Sequence, residues 1–211
     1  MNGLSQKTTV WPTPRGDVHI CSHCGPEQIR RYRFDSQFGT HAHFKSLYTK
    51  RESLEKNARW PDTNVTLALH ANDIIGFGVL AYPDPGERWA KLSPRLMMEV
   101  RAIEVSRSWR SSTVAGGIVK TLMADPRVED KIVYMVGFSW TWDLDGSGRS
   151  AQEYRKILID LFEPHGFLEL ETNEPNICLK PENMLLGRIG RKISKQQQDN
   201  FKWLRFDIYP D

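Results

Sequence analysis

"EVSRSWRSSTVAGGIVKTLMAD" (Glu104–Asp125) runs from a strand-like "EV" through a polar turn into an apolar-periodic helix. A helix start leaves about four amide N–H groups without an acceptor in the helix and carries a partial positive charge. A phosphate group can take those hydrogen bonds directly, provided that the residues around it are small. Ser111, Ser112, Ala115, Gly116 and Gly117 are small, Thr113 is of modest size, and Arg110 adds a positive charge at the rim. Two familiar phosphate loops are excluded. A Walker loop needs glycine directly before its lysine, and Lys120 follows Val119. The dinucleotide fingerprint G-x-G-x-x-G is absent. The stretch is therefore either a cradle made of main-chain amides or a capped strand–helix corner that holds nothing.

The flanking sequence frames that stretch. "NVTLALHAN" (64–72) and "IIGFGVLAY" (74–82) read as a hairpin, and "LMMEVRAIEVS" (96–106) as the strand entering the turn. "DKIVYMVGF" (130–138) reads as the strand after the helix, parallel to the one before it through a right-handed crossover. "SAQEYRKILIDLF" (150–162) is an amphipathic helix with Ile157, Leu158 and Leu161 on one face, and "FLELET" (167–172) a strand. Upstream, residues 1–15 with Pro12 and Pro14 read as a loose arm, and "DVHICS" (17–22) as a strand. A helix is expected from Pro26 to Arg33, and another over 44–59, stopped by Pro61. Downstream, 182–191 and 194–204 are expected to be helices and 205–209 a short strand. From 180 to 205 seven Lys or Arg face two acids.

Composition limits the options. A chain of 211 residues suits one domain, 1–211, with the loose arm, a core over 60–172 and a basic segment over 173–211. The net charge of +3 calls for no nucleic-acid partner. No run of about 18 apolar residues suggests a membrane span, and the start has no signal-peptide core, so a cytoplasmic location is expected. Three cysteines argue against a disulfide framework. "CSHC" (21–24) has metal-site spacing, and Cys21, Cys24, His41 and His43 would make four zinc ligands. The H-x-H spacing is shorter than usual and no second C-x-x-C follows, so no metal is assigned. Asp143 and Asp145 beside Trp140 and Trp142 either orient an incoming amine or cap the helix at Ser150.

The turn resembles the acetyl-CoA motif of the GNAT N-acetyltransferases, R/Q-x-x-G-x-G/A, with Arg110 first, Ala115 last and Thr113 where glycine is usual. Val105 five residues before Arg110, the hairpin over 64–82 and the Gly-Phe of "EPHGF" (163–167) extend the likeness. A closer resemblance, to the acetoin-utilisation acetyltransferases of the AcuA type, rests on "YPDPGERW" (82–89), "AIEV" (102–105), "WTWDL" (140–144), "EYRKI" (153–157), "NEP" (173–175) and "RIGRKIS" (188–194). It implies an α/β fold with a mixed, mostly antiparallel sheet flanked by helices. It implies acetyl-CoA as cosubstrate and transfer to a protein lysine, that of acetyl-CoA synthetase. Acetylation of a small amine, or acyl-CoA sensing without chemistry, are the alternatives.

By the same resemblance, coenzyme A would lie on Arg110, Ser111, Ser112, Thr113, Val114, Ala115 and Gly116, and its pantetheine arm along Ile103 and Val105. A lysine amine with pKa about 10.4 must lose its proton before it attacks. Glu99, eleven residues ahead of Arg110, stands near the usual GNAT base, and Glu104 is the second candidate. Many GNAT proteins supply a tyrosine as acid where this chain has Phe162, which leaves Tyr154 and Tyr134 as substitutes.

Overall fold

A computed structural model describes residues 6–38, 48–92 and 95–208. The chain forms two compact units, one from Met1–Ala81 and Arg101–Ala124, the other from Tyr82–Val100 and Asp125–Asp211.

In the first unit β1 (Thr8–Thr13) and β2 (Gly16–Cys21) form a hairpin with Thr13 opposite Gly16. The loose arm expected over residues 1–15 is thus corrected from Thr8 onward. Pro12 is compatible with the strand because β1 ends the strand order. Helix α1 (Pro26–Arg31) starts at the expected proline, and β3 (Arg33–Phe34) follows it. Helix α2 (Arg51–Ala58) is shorter than the helix expected over 44–59, because Lys50 is extended; residues 44–47 lie outside the described residues. Strands β4 (Asn64–His70) and β5 (Asp73–Ala81) make the expected hairpin.

Strand β6 (Met97–Val105) gives its second half to this unit, and Ser106 N–H donates to Ile75 O at 2.9 Å. Helix α3 (Val114–Met123) follows. Alternation on β5 sorts the two faces. Phe77 and Val79 join Ile29 of α1 and Leu54 of α2 in one core cluster. Gly76 and Gly78 point the other way, toward Ile118 of α3.

In the second unit the first half of β6 runs parallel to β7 (Ile132–Gly137), with Glu99 opposite Tyr134. A short turn of helix, α4 (Leu144–Ser147), precedes α5 (Ala151–Phe162). Then come β8 (Leu168–Glu169), α6 (Pro175–Cys178), β9 (Met184–Ile189) and α7 (Lys195–Leu204). The helix expected over 182–191 is a strand, antiparallel to both β7 and β8. Its glycines explain the difference: a Cβ on Gly187 would strike the Leu170 side chain. The short strand expected over 205–209 is also corrected. Arg205 caps α7 and Ile208 N–H turns back to Trp203 O at 3.1 Å, while Tyr209 lies outside the described residues. Phe201 and Leu204 of α7 pack with Met97, Tyr134 and Leu185. The pairs β3–β5 and β6–β7 are parallel and the other registered pairs antiparallel, so the sheet is mixed and mostly antiparallel. Among the described residues no helix is long and apolar enough to cross a membrane.

Candidate functional site

Helix α3 is seated by what β5 lacks. A Cβ on Gly78 would lie 2.6 Å from Ile118 Cγ2 and 2.9 Å from Leu122 Cδ1. One on Gly76 would lie 3.1 Å from Ile118 Cδ1 and 3.4 Å from Val105 Cγ2. The missing side chains let the helix lie close on the strand, which fixes where its N-terminus emerges.

The segment leading into it is tightly wound. Arg107–Trp109 make one 3-10 turn, with Trp109 N–H donating to Ser106 O at 2.9 Å. Arg110 is extended and its Nε donates to Val105 O at 3.3 Å, so its charge lies by the end of β6. Ser111 and Thr113 are both left-handed, with φ of 60° and 66°. Between them Ser112 is buried and its hydroxyl donates to Trp109 O. The turn is braced from outside as well. Gln37 Oε1 accepts from Ser108 N–H at 2.8 Å, and the His70 ring lies 4.6 Å from that of Trp109.

Thr113 is the N-cap of α3, yet its hydroxyl caps nothing. It donates to Ser112 O at 2.6 Å and accepts from Trp11 Nε1 at 3.1 Å. The first bond of the helix runs from Gly117 N–H to Thr113 O at 3.2 Å. The amides of Val114, Ala115 and Gly116 therefore have no acceptor within the helix. A Cβ on Gly116 would meet nothing within 4 Å, so the approach there is open. No acid occupies the first turn of α3. Three amides at a helix N-terminus with no acid in its first turn make a fitting seat for a phosphate group. Diphosphate suits the site by charge, by donor type and by the space over Gly116.

The remaining candidates lie elsewhere in the chain. Glu99 is half-buried in the first half of β6, within the second unit. Glu104 is half-buried in the second half, within the first unit. Tyr154, on α5, stacks on Trp142 with ring centroids 5.3 Å apart. Tyr134 is fully buried and its hydroxyl donates to Glu87 Oε2 at 3.3 Å. Phe162 is buried edge-on to Phe167. Asp143 caps α4, accepting from Gly146 N–H at 3.1 Å; the helix at Ser150 is capped by Ser150 itself, in a capping box with Glu153.

Cys21 and Cys24 are both buried. Burial, with Cys21 adding, pushes the Cys24 thiol up to about 12. His41 and His43 lie outside the described residues. Trp11, within the stretch expected to be a loose arm, is, with Gln37 and His70, a contact with the turn that sequence reasoning missed. An aromatic residue in "TTVWPT" ahead of the turn "PRGD" was the available signal for a strand there.

No protein-family model matches the chain. The acetoin utilization protein AcuA of Bacillus licheniformis is 30% identical over 194 residues, covering 92% of this chain and 91% of that one. AcuA of Bacillus subtilis is 31% identical with the same coverage. The chain belongs to the AcuA family. The crystal structure of the acetoin utilization protein from Exiguobacterium sibiricum superposes on this chain with a TM-score of 0.87 at 28% identity, covering 96% of this chain and 94% of the other. The GNAT domain of the S. lividans protein PAT gives a TM-score of 0.57 at 13% identity, covering 85% and 95%. The fold is thus that of the GNAT acetyltransferases. In this chain the position where the GNAT motif has glycine is Thr113, and its backbone is left-handed, the conformation for which glycine is the ordinary choice.

Proposed function

We propose that this member of the AcuA family is an enzyme that binds acetyl-CoA on the turn 110–116 and moves its acetyl group to a protein lysine, that of acetyl-CoA synthetase, in the cytoplasm. The observation that carries the reading is the row of three amides without helical acceptors at the start of α3, beside the unfilled space over Gly116. The family's name, acetoin utilization, and the GNAT fold support the same reading.

In the proposed reaction a neutral lysine amine attacks the thioester carbon, forming the new C–N bond and breaking the C–S bond. Glu99 takes the proton, directly or through water. The need is real, because at pH 7 only about one lysine in 2,500 is neutral, a cost of about 4.6 kcal/mol. A main-chain N–H on the strand 100–105 would steady the oxygen as it gains charge. The thiolate leaves with a pKa of about 8.5 and takes its proton from water, so an acid at Phe162 is not required.

The test is transfer of labelled acetyl from acetyl-CoA in parallel reactions with purified acetyl-CoA synthetase and with polyamines or free amino acids. Label on a synthetase lysine is expected. Label on the free amines alone would make the protein a small-amine acetyltransferase. No labelled acceptor, with CoA still raising the melting temperature, would leave a non-catalytic acyl-CoA sensor.

A further inference from the structure

We infer that Trp11, from the N-terminal hairpin, is a positioning residue for coenzyme A: it holds the Thr113 hydroxyl away from the helix and so keeps the amides of α3 open to the diphosphate. The inference rests on the diphosphate reading above. A threonine at an N-cap with extended backbone turns its oxygen inward and accepts from the second or third amide of the helix. That would fill the seat that a phosphate needs. Here the proton of Thr113 Oγ1 goes to Ser112 O at 2.6 Å, and the oxygen accepts from Trp11 Nε1 at 3.1 Å.

The indole is itself fixed. A Cβ on Gly117 would come within 2.8 Å of Trp11 Cδ2, so the absence of a side chain at Gly117 is what lets the ring reach the helix. Lys120 Nζ lies 5.5 Å from the ring centre, on the same helix. The hairpin is anchored in turn by the full β1–β2 register, in which Trp11 faces Val18.

The same contact bears on the backbone. Thr113 is a β-branched residue at φ 66°, a conformation that glycine takes freely and threonine does not. The hydrogen bond from Trp11 is made in this conformation and so offsets part of that strain. Trp11 thus supplies from another strand what the glycine of the GNAT motif supplies by itself.

The test is CoA affinity by calorimetry and acetyl-CoA kinetics for the full chain, in a double-mutant cycle of Trp11→Phe and Thr113→Gly. Phenylalanine keeps an aromatic ring at this position and removes the N–H together with part of the indole's area, and the Thr113→Gly background separates the two losses. We expect Trp11→Phe to weaken CoA binding about fivefold, the factor one such hydrogen bond represents. KM for acetyl-CoA should rise while kcat moves less than twofold. In the Thr113→Gly background the same Trp11→Phe change should have no further effect. Thr113→Ala leaves no hydroxyl to accept the bond or to fill the seat, so Trp11→Phe should add nothing in that background either; Trp11→Met, which also lacks the N–H donor, serves if Trp11→Phe fails to fold. Unchanged affinity in Trp11→Phe, or an equal loss in both backgrounds, overturns the role of Trp11 alone. Absence of CoA binding by the unsubstituted protein overturns the diphosphate reading itself, and the role of Trp11 with it.

Discussion

The carboxylate of Glu129 accepts from the main-chain N–H of Arg191 at 3.0 Å, from its Nε at 2.9 Å and from Arg188 Nη2 at 2.5 Å. These bonds, the main-chain one foremost, hold its pKa down at about 2, against the opposing pull of burial. The folded value lies below the ordinary 4.5, so the contribution to stability is complete above about pH 4.5 and is lost as pH falls toward 2. Glu129→Gln should therefore be less stable at neutral pH and should show a shallower acid limb between those two values. Melting temperature against pH for both proteins checks this, and two parallel curves would refute it. The arginines were legible in the sequence as members of a basic run. Their partner was not, because Glu129 lies 59 residues from Arg188 and 62 from Arg191. Thr113 poses the same difficulty: the motif locates it, but the group that steadies it lies 102 residues away.

At the scale of elements, glycine carried information that a helical reading of 182–191 overlooked. In a helix interior Gly187 would cost up to about 1 kcal/mol relative to alanine. In β9 it admits Leu170, and Gly190 just beyond admits the main chain of Val128 and Glu129. The first strand of the N-terminal hairpin was missed because Pro12 and Pro14 outweighed the β-branched and aromatic residues of "TTVWPT". The hairpin over 64–82 and the helix after the turn were legible because each apolar run is bounded by turn residues and keeps one period. Two alanine substitutions separate the uses of glycine. Gly190→Ala would press a methyl group 2.5 Å from Glu129 O and onto the Val128 carbonyl, neither of which is a flexible side-chain end. It should destabilise the protein by about 3 kcal/mol. Gly116→Ala meets nothing within 4 Å and lies in the first turn of α3, so it should stabilise by about 0.5–1 kcal/mol. Urea denaturation of both variants decides it, and equal effects of one sign would contradict this account of the two sites.

For the whole molecule, the proposed labour divides along the chain. The turn 110–116 belongs to one compact unit and Glu99 to the other, although one strand, β6, carries residues of both. Binding and chemistry should then respond to different substitutions. Saturation with CoA at a hundred times its Kd stabilises a folded protein by about 2.7 kcal/mol. For a chain of this size that is a rise in melting temperature on the order of 5–10 °C. Glu99→Gln leaves every amide of the turn in place, so it should keep that rise in full. Loss of a general base should meanwhile lower kcat by about 10²–10⁴ with acetyl-CoA synthetase as acceptor. The fall should shrink as pH rises, because more of the lysine is then neutral before it meets the enzyme. Thermal shift and turnover, measured on the same preparation across pH 7–10, read the two halves separately. Unchanged turnover would remove Glu99 from the chemistry, whereas a lost thermal shift would show that its carboxylate holds the fold or the cosubstrate rather than the proton.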